Sequence, residues 1–173
     1  MKNVIIGGIL IVLFSCVDKK VTSVELNIPA NQKESLYKDL TSLATAESAL
    51  QKDSLAFLVL PLEASCPACR DKTIDSILKH KDNLLSNHFI ILSGKLGWKS
   101  MNAYFRKQEG LLPVMPGRVF IDSTDRAGQY SLYKNNPAIY YAANQKVYKK
   151  VLALPFTVKQ DLQEFFSGRR ENN

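Results

Sequence analysis

Leucines at 36, 40, 43 and 50 recur at helical spacing between Lys33 and Lys52, while Lys38, Asp39, Glu47 and Gln51 fall on other faces. This spacing predicts an amphipathic helix. Asp53-Ser54 interrupts the period, and Leu55 to Leu62 then reads Leu-Ala-Phe-Leu-Val-Leu-Pro-Leu. A nearly unbroken apolar run of this length is expected of a central strand buried on both faces, with Pro61 marking its end. Ile74, Ile77 and Leu78 form the next helical stripe, followed by Leu84 and Leu85, with Asp71, Asp75 and Lys79 elsewhere. The stripe predicts a helix from Pro67 to about Leu85, and Phe89-Ile90-Ile91-Leu92 predicts a second strand.

Further on, Met101, Ala103, Tyr104 and Phe105 predict a helix over Trp98 to Gln108, which Gly110 is placed to stop. Pro113 and Pro116-Gly117 force a loop, and Val119-Phe120-Ile121 reads as a short strand. The polar stretch Ser123 to Asn136 carries no periodicity and is assigned no element. Ala138 to Tyr141 and Val147 to Leu154 are two strands around Ala143-Asn144-Gln145, which has the turn chemistry of a hairpin. Pro155 ends the second, and Thr157 is placed to cap a last helix carrying Val158, Leu162, Phe165 and Phe166.

The first residues obey a different rule. Lys2 precedes an apolar run from Val4 to Phe14, then Ser15 and Cys16. A bilayer span needs roughly 20 apolar residues, whereas the apolar core of a secretory signal needs about 7 to 15, so length favours a signal. Leu13-Phe14-Ser15-Cys16 resembles the lipobox of bacterial lipoproteins, although Phe14 is larger than the residue usual there. The resemblance implies cleavage before Cys16, lipidation of Cys16, and attachment to the bacterial cell envelope facing the periplasm. An ordinary signal peptide with a chance cysteine and an uncleaved hydrophobic anchor are the other readings. The expected organisation is a lipoprotein signal peptide over 1–15, a polar tether over 16–32 with a short extended piece at Val24-Leu26, a domain over 33–167, and a polar tail over 168–173.

Composition adds exclusions. A 46% hydrophobic, 23% charged chain of 173 residues is that of an ordinary globular protein, with neither repeat nor low-complexity segment. Lysine and arginine outnumber acidic residues by 23 to 16, giving +7, but the excess lies in short scattered clusters and is not interleaved with aromatics. A nucleic-acid partner is therefore not expected.

Three cysteines in an exported chain would leave one unpaired, unless Cys16 carries lipid and only Cys66 and Cys69 remain. A disulfide between these two closes too small a loop to stabilise the fold much through chain entropy, so Cys66-Pro67-Ala68-Cys69 points to chemistry. Cys-x-x-Cys also occurs in zinc sites; between an apolar strand and a helix it reads as a redox dithiol. At a helix start, unpaired N–H groups and the positive end of the dipole favour the Cys66 thiolate, making it the attacker. Pro67 fits the first helical position, and one turn brings Cys69 under Cys66 as the resolving partner. Arg70 adds a nearby positive charge or faces solvent. A metal centre is not expected: His80 lies eleven residues beyond Cys69, about 16 Å along a helix, and His88 reads as a surface or edge residue. Trp98, Tyr104 and Phe105 are expected in the core.

The element order, with a dithiol directly after a buried strand and Pro137 directly before the penultimate strand, resembles the thioredoxin-like superfamily over roughly Lys33 to Ser167. The resemblance implies a three-layer α/β/α fold with a central mixed sheet. It also implies a membrane-tethered thiol-disulfide oxidoreductase, with no cofactor, that acts on protein dithiols or disulfides through a Cys66–Cys69 disulfide. It implies a cis Pro137 facing the dithiol, and a backbone beside it, at Asn136, that pairs with the substrate. Two positions depart from the family: Ser65 stands where tryptophan is usual and Leu60 where a buried aspartate shuttles protons. Glu63 is the candidate substitute general base, a role that requires burial; the other reading is a surface carboxylate. With Pro-Ala between the cysteines and no histidine, the expected direction is reductive, which requires a membrane electron donor. The alternative function is a redox-inert thioredoxin-like lipoprotein that binds a protein partner through the face around Asn136-Pro137. A peroxidase is not expected, since no peroxide-binding threonine precedes Cys66.

Overall fold

A computed structural model describes residues 23–45 and 53–168. The expected signal peptide, Cys16 and the end of the first predicted helix, including Leu50, lie outside them. The elements are β1 (Val24–Leu26), α1 (Lys33–Leu43), β2 (Ser54–Pro61), α2 (Pro67–His80), β3 (His88–Ser93), α3 (Trp98–Arg106), β4 (Val119–Asp122), α4 (Arg126–Gln129), β5 (Ala138–Ala143), β6 (Lys146–Leu152) and α5 (Val158–Ser167). The strands form one mixed six-stranded sheet in the order β1-β6-β5-β2-β3-β4. β2 runs parallel to β3 and antiparallel to β5, and β3 runs parallel to β4.

Why β2 is apolar from Leu55 onward follows from its place. It is hydrogen-bonded on both edges, Leu60 opposite Leu92 and Leu58 opposite Ile139, and both of its faces are covered. Ala56, Leu58 and Leu60 pack with Ile74 and Ile77 of α2, Met101 and Phe105 of α3, and Leu162 and Phe165 of α5. Leu55, Phe57 and Val59 pack on the opposite face with Leu40 and Leu43 of α1, Ala127 of α4 and Leu132. Helices therefore cover both faces of the sheet, an α/β arrangement in which an unbroken apolar strand is expected. Phe57 also stacks on Phe89 at 5.4 Å between ring centroids.

Several expectations change. Val24–Leu26, expected within a tether, pairs antiparallel with β6 at the sheet edge, and Ile28 is buried, so the folded unit starts before Lys33. The first helix ends at Leu43 and the second at His80, followed by one 3-10 turn over Lys81–Asn83. Glu109, at φ 57°, takes the left-handed position after α3, while Gly110 leaves room for Leu78, whose Cδ1 would lie 2.4 Å from an added Cβ. Trp98 is 47% exposed, because it opens α3 at the surface while Met101 and Phe105 take its buried stripe. Thr157 precedes α5 without a side-chain cap; its hydroxyl accepts the Leu154 N–H at 3.2 Å instead.

The hairpin forms as the sequence predicts, with Asn144 and Gln145 both at positive φ, 50° and 61°, the backbone of a two-residue type I′ turn. The stretch given no element from sequence is organised by Asp122. Its buried carboxylate accepts the N–H groups of Arg126 and Ala127 at 2.9 and 2.8 Å and the Ser93 hydroxyl at 2.7 Å, which fixes the start of α4. The Tyr133 hydroxyl donates to Asp125, and the Tyr140 hydroxyl to the Leu132 carbonyl, so the segment leading into β5 is held at several points.

His88 is buried rather than at the surface. It opens β3 beneath α5, with its ring 4.9 Å from that of Phe165, and its Nδ1 has no hydrogen-bond partner. Burial holds its pKa down at about 4, against the carbonyl of Phe165, which favours the charged form. His80 stacks on Phe166 near the end of α2.

Candidate functional site

β2 ends at Pro61, and the chain turns through Ser65, whose N–H donates to the Pro61 carbonyl, before Cys66. Cys66 is the N-cap of α2 (φ −46°, ψ 125°), Pro67 is at its first position, and the Arg70 N–H closes the first turn on the Cys66 carbonyl at 2.9 Å. Proline is suited to that position because its missing N–H would have had no partner there. The buried strand thus delivers Cys66 to the end of the sheet, and the helix carries Cys69 inward: Cys66 is half-buried and Cys69 fully buried.

The two sulfurs are chemically unequal. The Cys69 backbone N–H, then the Cys69 thiol, hold the Cys66 pKa below the ordinary thiol value, with smaller help from the Ala68 N–H and Arg70 and against partial desolvation. Burial, followed by the hydrogen bond to Cys66 and the charge there, pushes Cys69 up to about 12, while Lys72 opposes. One thiol is poised to ionise and its partner to keep its proton. Both are free thiols in this structure.

The segment before β5 reaches the same point. The Asn135 carbonyl accepts the Cys66 N–H at 2.8 Å, and Asn136 Oδ1 accepts the Cys69 thiol at 3.4 Å. Pro137 is buried, and its carbonyl accepts the Ala153 N–H of the chain leaving β6. The Asn136–Pro137 bond is trans, correcting the cis expectation: no cis peptide occurs among the described residues. Trans is the lower-energy isomer of an X–Pro bond, by about 0.5–1 kcal/mol.

Glu63 is exposed and lacks the burial that a base role requires. Its Oε2 accepts the Lys95 N–H at 2.8 Å, tying the loop before Cys66 to the loop after β3. Arg70 is largely sheltered: its Nε lies 2.9 Å from Asp71, and its guanidinium sits 4.7 Å from the centre of the Tyr104 ring. Beside Glu63 lies a shallow depression of about 310 Å³ that also reaches Ser93, Asp125 and Tyr133. Among the described residues no group of three or more histidine, cysteine or carboxylate side chains is arranged to hold a metal, and no helix is long and apolar enough to cross a membrane.

Sequence reasoning singled out the dithiol, Asn136 and Pro137, and the structure brings Cys66, Cys69 and Asn136 together. It missed Asn135, which acts through its backbone and carries no side-chain signal, and the Tyr104 platform under Arg70, which only tertiary packing creates. No protein-family model matches the chain, and a search of curated proteins finds no match.

Proposed function

We propose that the protein is a thioredoxin-like thiol-disulfide oxidoreductase, tethered by lipid on Cys16 to the bacterial cell envelope and working reductively on disulfides of other proteins. The observation that carries this reading is the inequality of the two thiols. Cys66 is accessible and held towards its thiolate by the start of α2, whereas Cys69 is buried and protonated one turn below it. Such a pair attacks a disulfide with one sulfur and resolves the mixed disulfide with the other.

The step balances without a cofactor. Cys66 thiolate attacks one sulfur of the client disulfide, the second client sulfur departs as thiolate and takes a proton from water, and a mixed disulfide remains. Cys69 gives its proton to water and attacks Cys66, releasing the other client sulfur. Two electrons pass to the client, and a membrane dithiol donor must return them. A reduction potential near that of thioredoxin, about −270 mV, supports the reductive direction, whereas one near −120 mV makes the protein an oxidant. A Cys69→Ser variant should trap clients as mixed disulfides on Cys66. If it traps none and the wild type reduces no protein disulfide, the function is partner binding instead.

The second reading is a redox-inert module that binds a partner around Asn136-Pro137. The exposure of Glu63 and its hydrogen bond to Lys95 favour it, because they remove the one carboxylate the sequence offered for proton transfer.

A further inference from the structure

Leu60, at the position where the thioredoxin-like resemblance implies a proton-shuttling aspartate, is fully buried among Leu58, Leu62, Ile74 and other apolar side chains. With Glu63 turned to Lys95, the Cys69 thiol meets the amide of Asn136, whose Oδ1 accepts it at 3.4 Å. Cys69 has a single S–H and two acceptors, Asn136 Oδ1 and the Cys66 sulfur. When that hydrogen turns to the Cys66 thiolate, Oδ1 loses its donor. A carboxamide, unlike a carboxylate, carries donors as well as an acceptor on one rotatable group.

The backbone is tied on both sides of Asn136. On one side the Asn135 carbonyl is bound by the Cys66 N–H at 2.8 Å, and on the other the Pro137 carbonyl is bound by the Ala153 N–H at 3.0 Å. Rotation of the amide about its terminal torsion would present the NH₂ group in place of Oδ1 to the Cys69 sulfur.

We propose that Asn136 is a catalytic residue of the resolving step, its amide turning from acceptor of the Cys69 thiol to donor toward the Cys69 thiolate. The inference rests on the dithiol reading given above. Asn136 takes no proton: water receives the Cys69 proton, the thiolate displaces the client sulfur from Cys66, the Cys66–Cys69 bond forms, and the departing client thiolate is protonated by water. The NH₂ group stabilises the negative sulfur, a charge-assisted hydrogen bond where burial otherwise opposes the ion.

The test uses the full reduced chain with Cys16→Ser, which leaves Cys66 and Cys69 as its two thiols, and one equivalent of the disulfide reagent 5,5′-dithiobis(2-nitrobenzoate), whose two coloured thiolates are released in turn. The first release reports attack by Cys66, the second closure by Cys69. Asn136→Asp keeps an acceptor and loses the donor. It should leave attack within about threefold and slow closure by about 10- to 100-fold, the rate equivalent of a hydrogen bond to a charged group. Asn136→Leu should slow closure similarly, and Asn136→Ser, whose hydroxyl can donate, should recover most of the rate. Closure in the folded Asn136→Asp variant within about twofold of wild type overturns the proposal and leaves the dithiol reading intact. A wild type that reacts but never closes the Cys66–Cys69 disulfide overturns both.

Discussion

The Asn135 carbonyl accepts the Cys66 N–H at 2.8 Å. Through this bond the segment entering β5 and the start of α2 form one unit, although they lie far apart in the chain. Cys66 is therefore held from both directions: by the strand that delivers it and by a loop whose own shape depends on Asp122, Asp125 and Tyr133.

The inequality of the thiols should be visible in alkylation. Cys66 should react with iodoacetamide with a pH midpoint below that of a free cysteine, while Cys69, pushed up to about 12, should stay unreactive through pH 9 in the folded protein. Mass spectrometry of peptides after timed alkylation separates the two. Equal reactivity at pH 8 would contradict the assignment.

Asp122 should be a stability determinant at a distance from the sulfurs. Asp122→Ala removes acceptors from two backbone N–H groups and from Ser93, and should cost about 2–4 kcal/mol in urea denaturation. Because the following loop leads to Asn135, the variant should also slow attack by Cys66.

His88 should make the protein acid-sensitive. Its pKa falls from 6.5 to about 4 on folding, so the unfolded chain binds the proton more readily between these values. Stability is complete above pH 6.5 and should decline as pH falls towards 4, by about 3 kcal/mol over the window if this group acts alone. His88→Phe should flatten that slope; denaturant midpoints between pH 4 and 7 provide the check.

Glu63→Gln should leave disulfide reduction within about threefold of wild type, because an exposed carboxylate occupied with the Lys95 N–H is not in the proton path, whereas loss of a general base costs about 10²-fold or more. Insulin reduction under a fixed reductant measures it.

Gln145 occupies a left-handed position at φ 61° in the hairpin turn. Gln145→Gly should stabilise the protein by about 0.5–1 kcal/mol, since glycine adopts this backbone without a Cβ penalty. Thermal denaturation should show the rise.

What the sequence made legible was whatever depends on local pattern. The apolar run of β2, the helical stripe carrying Ile74 and Ile77, and the turn at Asn144-Gln145 each write their period or backbone need into adjacent residues. The dithiol was legible because two cysteines three apart at a helix start have one geometry. The stretch from Ser123 to Asn136 was not, because its shape is set by Asp122 reaching back to Ser93 on another strand. His88 misled for a related reason: a polar residue at a strand start looks exposed until α5 packs over it. Glu63 had the right spacing from Cys66 and the wrong direction, which only the position of Lys95 reveals.

The pairing of β1 with β6 bears on where the domain would sit if Cys16 carries lipid. A lipid on Cys16 would be separated from Val24 by eight peptide steps, a contour of at most about 30 Å. Counted to Lys33 instead, the leash would be about twice as long. With Val24–Leu26 stitched into the sheet, a lipid on Cys16 would hold the folded domain close to the bilayer surface, and clients would be met at the membrane rather than across the width of the compartment.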